Sequence, residues 1–255
     1  MALKGDLAQY LSGMPVMVAG CNIAISQPTL KDIVAYGETN FLLGVEIFVK
    51  IEKMMAPIKQ GNPRLARYDD FQVLLAVIKE DKDTRNAIEN LFGLILEDYE
   101  YEFSNGSINF FAKGQENKRI IGQLNPMNFE KFQVTLKELF LPSMSQDQEE
   151  EYNPANDRAA EIAAKLKKGR EKVAQMKNKE SGVQSVIATY TSTLSVGLNM
   201  DINILYTYTL FQLFDTFKRY LVKDAYDFYR RVSTMPMMDT SKLEEPDNWM
   251  GEIYK

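Results

Sequence analysis

The sequence predicts a mainly α-helical protein with a small antiparallel β-hairpin or meander. It predicts an α+β N-terminal domain followed by an all-α C-terminal domain. Along most of the chain, apolar residues recur every three or four positions, which is the period of an amphipathic helix. Residues 99–111 differ, because aromatic and acidic residues alternate there before an Asn-Gly pair, and this pattern is typical of a β-hairpin.

The first predicted elements are short. Residues 16–25 are apolar and interrupted by glycine, which predicts a strand or an extended arm. Thr29 and Asp32 have the spacing of a capping box, in which each residue bonds the backbone of the other. A helix is therefore predicted from Thr29 to Tyr36, with Gly37 as its end.

Three longer amphipathic helices are predicted next. The first covers residues 38–55 and ends before Pro57, because proline breaks the helical hydrogen-bond pattern. The second covers residues 69–78. The third is predicted to begin at Asp83 as its N-cap and to bury apolar residues as far as Ile95.

The period then changes to that of a strand. Apolar residues alternate with glutamate over 99–103, and a second β-prone run covers 108–111. Asn105-Gly106 lies between the two runs and suits a tight turn, because both residues tolerate a positive φ angle. Residues 118–124 are predicted to add a third strand.

A helix after Asn128 completes the first predicted domain, residues 1–141. Residues 142–153 contain almost nothing to bury and predict an acidic linker. Three consecutive glutamates in this linker do not predict a metal site, because a flexible loop does not preorganise a coordination shell.

Residues 154–180 predict a long basic helix, with Asn153 as N-cap and Pro154 at the first helical position. From Asp157 to Glu180 there are eight Lys or Arg residues against four acids. We interpret this helix as a solvated connector rather than an RNA-binding or membrane-binding surface, because no aromatic residues lie between the charges. It would also suit an acidic protein partner, and the candidate contacts are Lys165, Lys168, Arg170 and Lys172.

Residues 181–255 predict an aromatic-rich helical domain. One helix is expected over 183–194, ended by Gly197, and a second carries an aromatic stripe over 203–223. A further helix is expected over 224–232.

The C-terminal tail contains the single tryptophan, Trp249. The sequence allows two roles for this tail, a staple onto its own domain or an anchor for a partner protein. The candidate partner-binding residues here are Trp249, Met250, Ile253 and Tyr254.

The sequence predicts no enzyme, no cofactor and no metal site. It contains no histidine, which is the commonest general base, and one cysteine, Cys21, which we interpret as a small buried apolar residue. It also lacks a glycine-rich phosphate loop and a dinucleotide fingerprint. A carboxylate-dependent hydrolase is the alternative to a protein-binding role, and it is the weaker of the two. Its nearest candidates for catalytic residues are the pairs Asp69 with Asp70 and Asp81 with Asp83.

Charge and hydropathy restrict the partners further. The net charge is −5, whereas a nucleic-acid-binding protein normally carries a basic excess, so no nucleic-acid partner is predicted. No segment approaches the roughly 20 apolar residues that span a bilayer. The N-terminus lacks the features of a secretory signal, so the protein is expected to stay in the compartment where it is made.

Three blocks of sequence resemble virion-morphogenesis proteins of phages that infect Gram-positive bacteria, in particular their tail assembly chaperones. The blocks are Gln27-Pro28-Thr29-Leu30-Lys31-Asp32-Ile33 with Tyr36-Gly37-Glu38, Tyr152-Asn153-Pro154-Ala155-Asn156 running into Lys165-Leu166-Lys167-Lys168-Gly169-Arg170-Glu171-Lys172, and Tyr208-Thr209-Leu210-Phe211-Gln212-Leu213-Phe214-Asp215 with Phe217-Lys218-Arg219-Tyr220. A tryptophan near the C-terminus follows the third block.

The resemblance implies a protein that coats the tape-measure protein and recruits tail-tube subunits in the cytoplasm of the infected host. It offers no catalytic residues. A structural virion component, such as a connector or baseplate part, is the alternative within the same class. Self-association into a homo-oligomer stays open.

Overall fold

The computed structural model describes residues 5–62, 64–114, 118–141, 185–235, 246, 248–251 and 254. Over these residues the chain is mainly α-helical with two small antiparallel sheets, which confirms the predicted fold class. The acidic linker predicted at 142–153 and the basic helix predicted at 154–180 lie outside the described residues.

A short helix and a hairpin open the fold. Helix α1 (Leu7–Ser12) begins at Asp6, whose carboxylate accepts a hydrogen bond from the Ala8 amide. Strands β1 (Val16–Val18) and β2 (Ile23–Ile25) pair antiparallel, which confirms the extended segment predicted over 16–25.

Helix α2 (Leu30–Tyr36) has the predicted capping box and ends at Gly37, as predicted. The Thr29 hydroxyl accepts from the Asp32 amide at 3.3 Å, and the Asp32 carboxylate accepts from the Thr29 amide at 3.1 Å. These bonds satisfy amide groups that have no partner within the helix.

The prediction of a single helix over residues 38–55 is wrong, because the structure has two helices in this region. Helix α3 (Glu38–Val49) ends at Lys50, and helix α4 (Ile51–Gly61) continues through Pro57. Pro57 lies on the exposed side of α4, where solvent can satisfy the carbonyl that loses its amide donor. A proline at an exposed position therefore did not end the helix.

The next two helices are capped by aspartates. A 3-10 turn (Leu65–Arg67) leads to α5 (Asp70–Glu80), and α6 (Lys82–Ile95) follows. Asp83 was predicted as the cap of α6, and this is wrong. Asp81 has the extended backbone of an N-cap and accepts from the Thr84 amide at 3.0 Å, whereas Asp83 lies in the first turn.

The predicted β-meander is confirmed. Strands β3 (Tyr99–Ser104), β4 (Ser107–Ala112) and β5 (Ile120–Leu124) pair antiparallel in that order. Asn105 and Gly106 form the first turn, and Gly106 has a φ of 90°.

Helix α7 (Phe129–Phe140) follows Asn128, as predicted. The buried Asn128 side chain accepts from the Asn125 amide and donates to the carbonyl oxygens of Gly20 and Gln123, each at 2.8 Å. Asn128 therefore fixes the loop before α7 against the β1–β2 hairpin.

The C-terminal helices differ from their predicted bounds. Helix α8 (Val186–Leu198) continues past Gly197 and ends at Asn199, which has a left-handed φ of 51°. The prediction that this helix ends at Gly197 is therefore wrong. Asparagine is one of the few side chains that tolerates this conformation.

The helices predicted over 203–223 and 224–232 are also different. A one-turn helix α9 (Ile202–Leu205) precedes a single long helix, α10 (Leu210–Ser233). Thr209 and Gln212 form a capping box that starts α10. The charged residues around Asp224 did not break this helix, since no proline or glycine interrupts 210–233.

One hydrophobic core joins the described residues before 142 with those after 184. Phe48 lies near its centre, stacked on Phe92 at 5.6 Å between ring centroids and edge-on to Phe132 at 5.3 Å. Phe140 from α7 and Phe211 from α10 belong to the same core. The domain boundaries drawn from the sequence stay a prediction.

Candidate partner-binding surfaces

The C-terminal tail is attached to α10 by a cluster of polar side chains, Asp215, Lys218, Arg219 and Tyr254, which we call the tail cluster. The buried Asp215 carboxylate accepts from the Tyr254 hydroxyl at 2.9 Å and from Arg219 Nε at 3.1 Å. Arg219 Nη1 donates to the carbonyl oxygens of Trp249 at 3.1 Å and Gly251 at 3.4 Å.

Aromatic and cationic contacts complete the tail cluster. The Tyr254 ring stacks on Phe211 at 6.0 Å between centroids, and Lys218 Nζ lies 4.6 Å from the centroid of the Tyr254 ring. Burial, followed by the nearby Asp215 carboxylate, raises the pKa of Tyr254. The Tyr254 hydroxyl therefore stays protonated and can donate to Asp215 at neutral pH.

The structure places the predicted tail residues in different surroundings. Tyr254 is buried against its own chain, Trp249 is half-buried, and Met250 is exposed. Ile253 lies outside the described residues, as do the four predicted basic contacts Lys165, Lys168, Arg170 and Lys172. For all eight of these tail and basic residues, the role in binding a partner stays a prediction.

A second surface joins the end of α8 to α9, and we call it the α8–α9 rim. Its exposed apolar side chains are Val196, Leu198, Ile202 and Ile204. Val196 in α8 is 84 % exposed, and Ile204 in the one-turn helix α9 is 51 % exposed. Apolar side chains exposed at the junction of two helices can be buried by a protein partner.

The framework beneath the rim is held by specific contacts. Ser195 Oγ donates to the Met200 carbonyl at 2.8 Å, and Asp201 caps α9 by accepting from the Asn203 amide at 2.9 Å. The Lys31 amide donates to the Tyr206 carbonyl at 3.1 Å, which attaches this region to α2. The rim is thus preorganised rather than formed by a loose loop.

Sequence reasoning missed the rim. It allowed the tail to be a staple onto its own domain and named Tyr254, but it did not identify Asp215 and Arg219 as the contacts of the tail. The i, i+4 spacing of Asp215 and Arg219 was a signal for the cluster. Which of these side chains are exposed or meet the tail depends on tertiary packing.

The carboxylates considered for catalysis have local structural partners. Asp69 caps α5 by accepting from the Gln72 amide at 2.8 Å, and Asp70 pairs with Lys59 at 2.5 Å. The Thr84 hydroxyl donates to the Asp81 carboxylate and lowers its pKa. Within the described part of the chain, no group of three or more Asp, Glu, Cys or His residues could hold a metal ion.

A shallow cleft of about 280 Å³ lies between α7 and the α3–α4 junction. Three lysines and two glutamates are among the residues that line it, namely Lys50, Lys53, Lys137, Glu52 and Glu130. Because the opposite charges are mixed, the cleft does not select a ligand of one charge.

None of the described helices is long and apolar enough to cross a membrane.

Comparison with known proteins adds one relationship. Residues 177–254 match the family model described as the YomV second domain, which spans under a third of the chain. No curated protein and no solved structure matches the chain significantly. YomV is a protein derived from a Bacillus phage. The matched segment includes α8, α9, α10 and the tail cluster.

Proposed function

We propose that this protein is a non-enzymatic phage morphogenesis protein that acts as a tail assembly chaperone. In this role it binds the tape-measure protein and recruits tail-tube subunits in the host cytoplasm. The observation that carries the proposal is the match of residues 177–254 to a domain of a phage-derived protein. The resemblance of three sequence blocks to tail-morphogenesis proteins supports the specific role.

The α8–α9 rim is the surface that we assign to the partner. It lies inside the matched segment and presents apolar side chains on an ordered framework. Such a surface can cover the apolar face of a tape-measure helix reversibly, because its burial adds affinity without requiring the chaperone to refold.

A matched pair of substitutions tests this assignment. Ile204 on the rim and Ile120 at the start of β5 are both 51 % exposed, so aspartate at either position should cost the monomer little. We expect Ile204→Asp to lower co-purification with the tape-measure protein at least about tenfold, since buried apolar contacts dominate such interfaces. Ile120→Asp should leave it unchanged. Full binding by Ile204→Asp would contradict the assignment of the rim.

The tail and the basic segment are tested by the same co-purification. If Trp249 anchors the partner, Trp249→Ala should weaken the complex by a few kcal/mol, with little change in the thermal stability of the free protein. Lys165, Lys168, Arg170 and Lys172 can be replaced together by glutamine. If these residues contact an acidic partner, the variant should bind the partner more weakly, and its affinity should depend less on salt concentration. Unchanged binding in both variants would leave the rim as the proposed contact.

The composition of the virion separates a chaperone from a structural component. A chaperone is absent from the finished particle, whereas a connector or baseplate part remains in it. We expect mass spectrometry to detect this protein in lysates of infected cells and not in purified virions. Stoichiometric amounts of its peptides in virions would replace the chaperone role with the structural one.

A further inference from the structure

Helix α10 is longer than helix α8, which packs against it. It contains 24 residues and α8 contains 13, so their lengths are about 36 and 20 Å at 1.5 Å per residue. Tyr190 from α8 covers the first half of α10, with its ring stacked on Phe217 at 4.3 Å and edge-on to Phe214 at 5.4 Å.

The apolar face of α10 continues beyond this cover. Residues spaced by three or four positions lie on one face of a helix. On α10 this face carries Leu210, Phe214, Phe217, Leu221, Ala225 and Phe228. The first two are buried and Phe217 is half-buried, whereas Leu221 is 50 % exposed, Ala225 is exposed and Phe228 is 62 % exposed. We call Leu221, Ala225 and Phe228 the distal stripe.

Opposite charges lie along one edge of the distal stripe. Asp224 and Arg231 are seven positions apart, so they lie on the same side of the helix. Neither has an ion-pair partner among the residues that the structure describes, whereas the neighbouring Asp227 pairs with Lys223 at 2.7 Å. The edge therefore carries an acid and a base. The Arg231 charge also acts within its own helix, where it adds to the effect of Lys223 in lowering the pKa of Asp227.

We propose that the distal stripe is the contact surface for a second copy of this chain, packed antiparallel on the first. A two-fold axis near residue 227 exchanges positions on either side of it. Phe228 of one copy then lies over Ala225 of the second copy, and Asp224 of one copy faces Arg231 of the second. The same two pairs form again in the reverse direction.

The sequence of the stripe favours this occupant because it is complementary to itself. In the two layers next to the axis, Phe228 of one copy meets Ala225 of the second, which lets the two helices approach closely. Each flanking charge meets the opposite charge, which gives two ion pairs per dimer. A parallel arrangement would instead place Phe228 against Phe228 and Asp224 against Asp224.

The extent of the stripe predicts the strength of the contact. The distal stripe covers only about two turns of α10, and Val232, beyond its C-terminal end, is buried within its own chain. An interface this short lies at the low end of specific contacts, so the dimer should dissociate on dilution. This inference does not depend on the proposed chaperone function.

Sedimentation velocity of the full chain over a hundredfold dilution series tests the proposal. We expect a reversible monomer–dimer equilibrium. Phe228→Glu and Asp224→Arg should each weaken association at least about tenfold, by burying a charge and by opposing two arginines. The double substitution Asp224→Arg with Arg231→Asp should restore it, because each copy regains an opposite charge.

The same experiment can overturn the proposal. A monomer at every concentration for the unsubstituted chain would exclude the dimer. Association that Phe228→Glu does not weaken would place the contact elsewhere on the molecule. Circular dichroism serves as the control, because exposed residues should be replaceable without loss of helix content.

Cross-linking tests the orientation. Cys21 is buried, so thiols introduced on α10 should dominate disulfide formation. We expect an Asp224→Cys variant mixed with an Arg231→Cys variant of different size to form disulfides mainly between the two variants. Cross-links mainly within each variant would show a parallel contact and would overturn the antiparallel arrangement.

Discussion

Single polar side chains attach both ends of the described chain to the core. The Tyr10 hydroxyl donates to the Glu138 carboxylate at 2.8 Å, and the Tyr254 hydroxyl donates to Asp215 at 2.9 Å. All four residues are buried, so each bond forms where water competes weakly. Burial is also the main cause of the raised pKa of both tyrosines.

Removing one hydroxyl tests the attachment of the tail. Tyr254→Phe keeps the ring on Phe211 but leaves the buried Asp215 carboxylate with one donor fewer. We expect a loss of about 1–3 kcal/mol in the free energy of unfolding, because hydrogen bonds to charged groups contribute on that order. Chemical denaturation measures it. Tyr226→Phe is the control, since no hydrogen bond of its hydroxyl occurs in the described structure, and an equal loss there would contradict the assignment.

The raised pKa of Tyr254 predicts a dependence on alkaline pH. The folded-state pKa lies above the ordinary value of 10.0, so folding favours the protonated hydroxyl. Its contribution to stability is fully present below about pH 10 and is lost as the pH rises towards the folded-state pKa. We expect the unfolding midpoint to fall more steeply above pH 10 in the unsubstituted protein than in Tyr254→Phe. Parallel pH profiles for the two proteins would contradict this linkage.

At the scale of elements, two glycines on neighbouring helices have opposite surroundings. A Cβ added to Gly44 in α3 would lie 2.9 Å from Leu91 Cβ and 3.0 Å from the Ala87 carbonyl of α6. A Cβ added to Gly93 in α6 would meet nothing within 4 Å. Gly44 therefore permits the close approach of α3 and α6, whereas Gly93 has no such role.

The same substitution should consequently have opposite effects at these two positions. Gly93→Ala should stabilise the protein by up to about 1 kcal/mol, because alanine favours the helix more than glycine does. Gly44→Ala gains the same preference but forces the two helices apart, and overpacking typically costs about 1–3 kcal/mol. Thermal unfolding of both variants checks the signs. A stabilised Gly44→Ala protein would show that α3 and α6 can separate cheaply.

At the scale of the whole molecule, described residues of the matched segment 177–254 contact the N-terminal part of the chain. Glu38 of α3 accepts from the Val186 amide at 2.7 Å and from the Ser185 hydroxyl, so it caps α8. The Leu30 amide donates to the Tyr208 carbonyl at 2.8 Å, and Tyr10 packs edge-on against Phe211 at 5.1 Å.

These contacts predict that residues 177–254 do not fold on their own. Without the N-terminal part, the inward faces of α8 and α10 would be exposed, and a small domain is only marginally stable even with its core intact. We expect the isolated segment to melt without a cooperative transition and to regain one when residues 1–141 are added. A sharp transition for the isolated segment would instead support the independent C-terminal domain predicted from the sequence.

Local patterns in the sequence were sufficient for the elements that depend on neighbouring residues. The Thr29–Asp32 capping box, the Asn105-Gly106 turn and the helical period were predicted correctly, because each involves residues within about one helical turn or hairpin. The end of α3 at Lys50 was not predicted. The continuation of α4 through Pro57 was not predicted either, since solvent exposure decided whether the proline was tolerated.

The candidate surfaces required the tertiary structure. Tyr254 and Asp215 are 39 positions apart, and Tyr10 and Glu138 are 128 apart, so no periodic pattern relates them. The helical period shows that Phe217 and Phe228 share one face of α10. Tertiary packing decides that Phe217 is covered by Tyr190 of α8 and that Phe228 is exposed. The sequence determined which residues can be buried together, and long-range packing decided which of them are left for a partner.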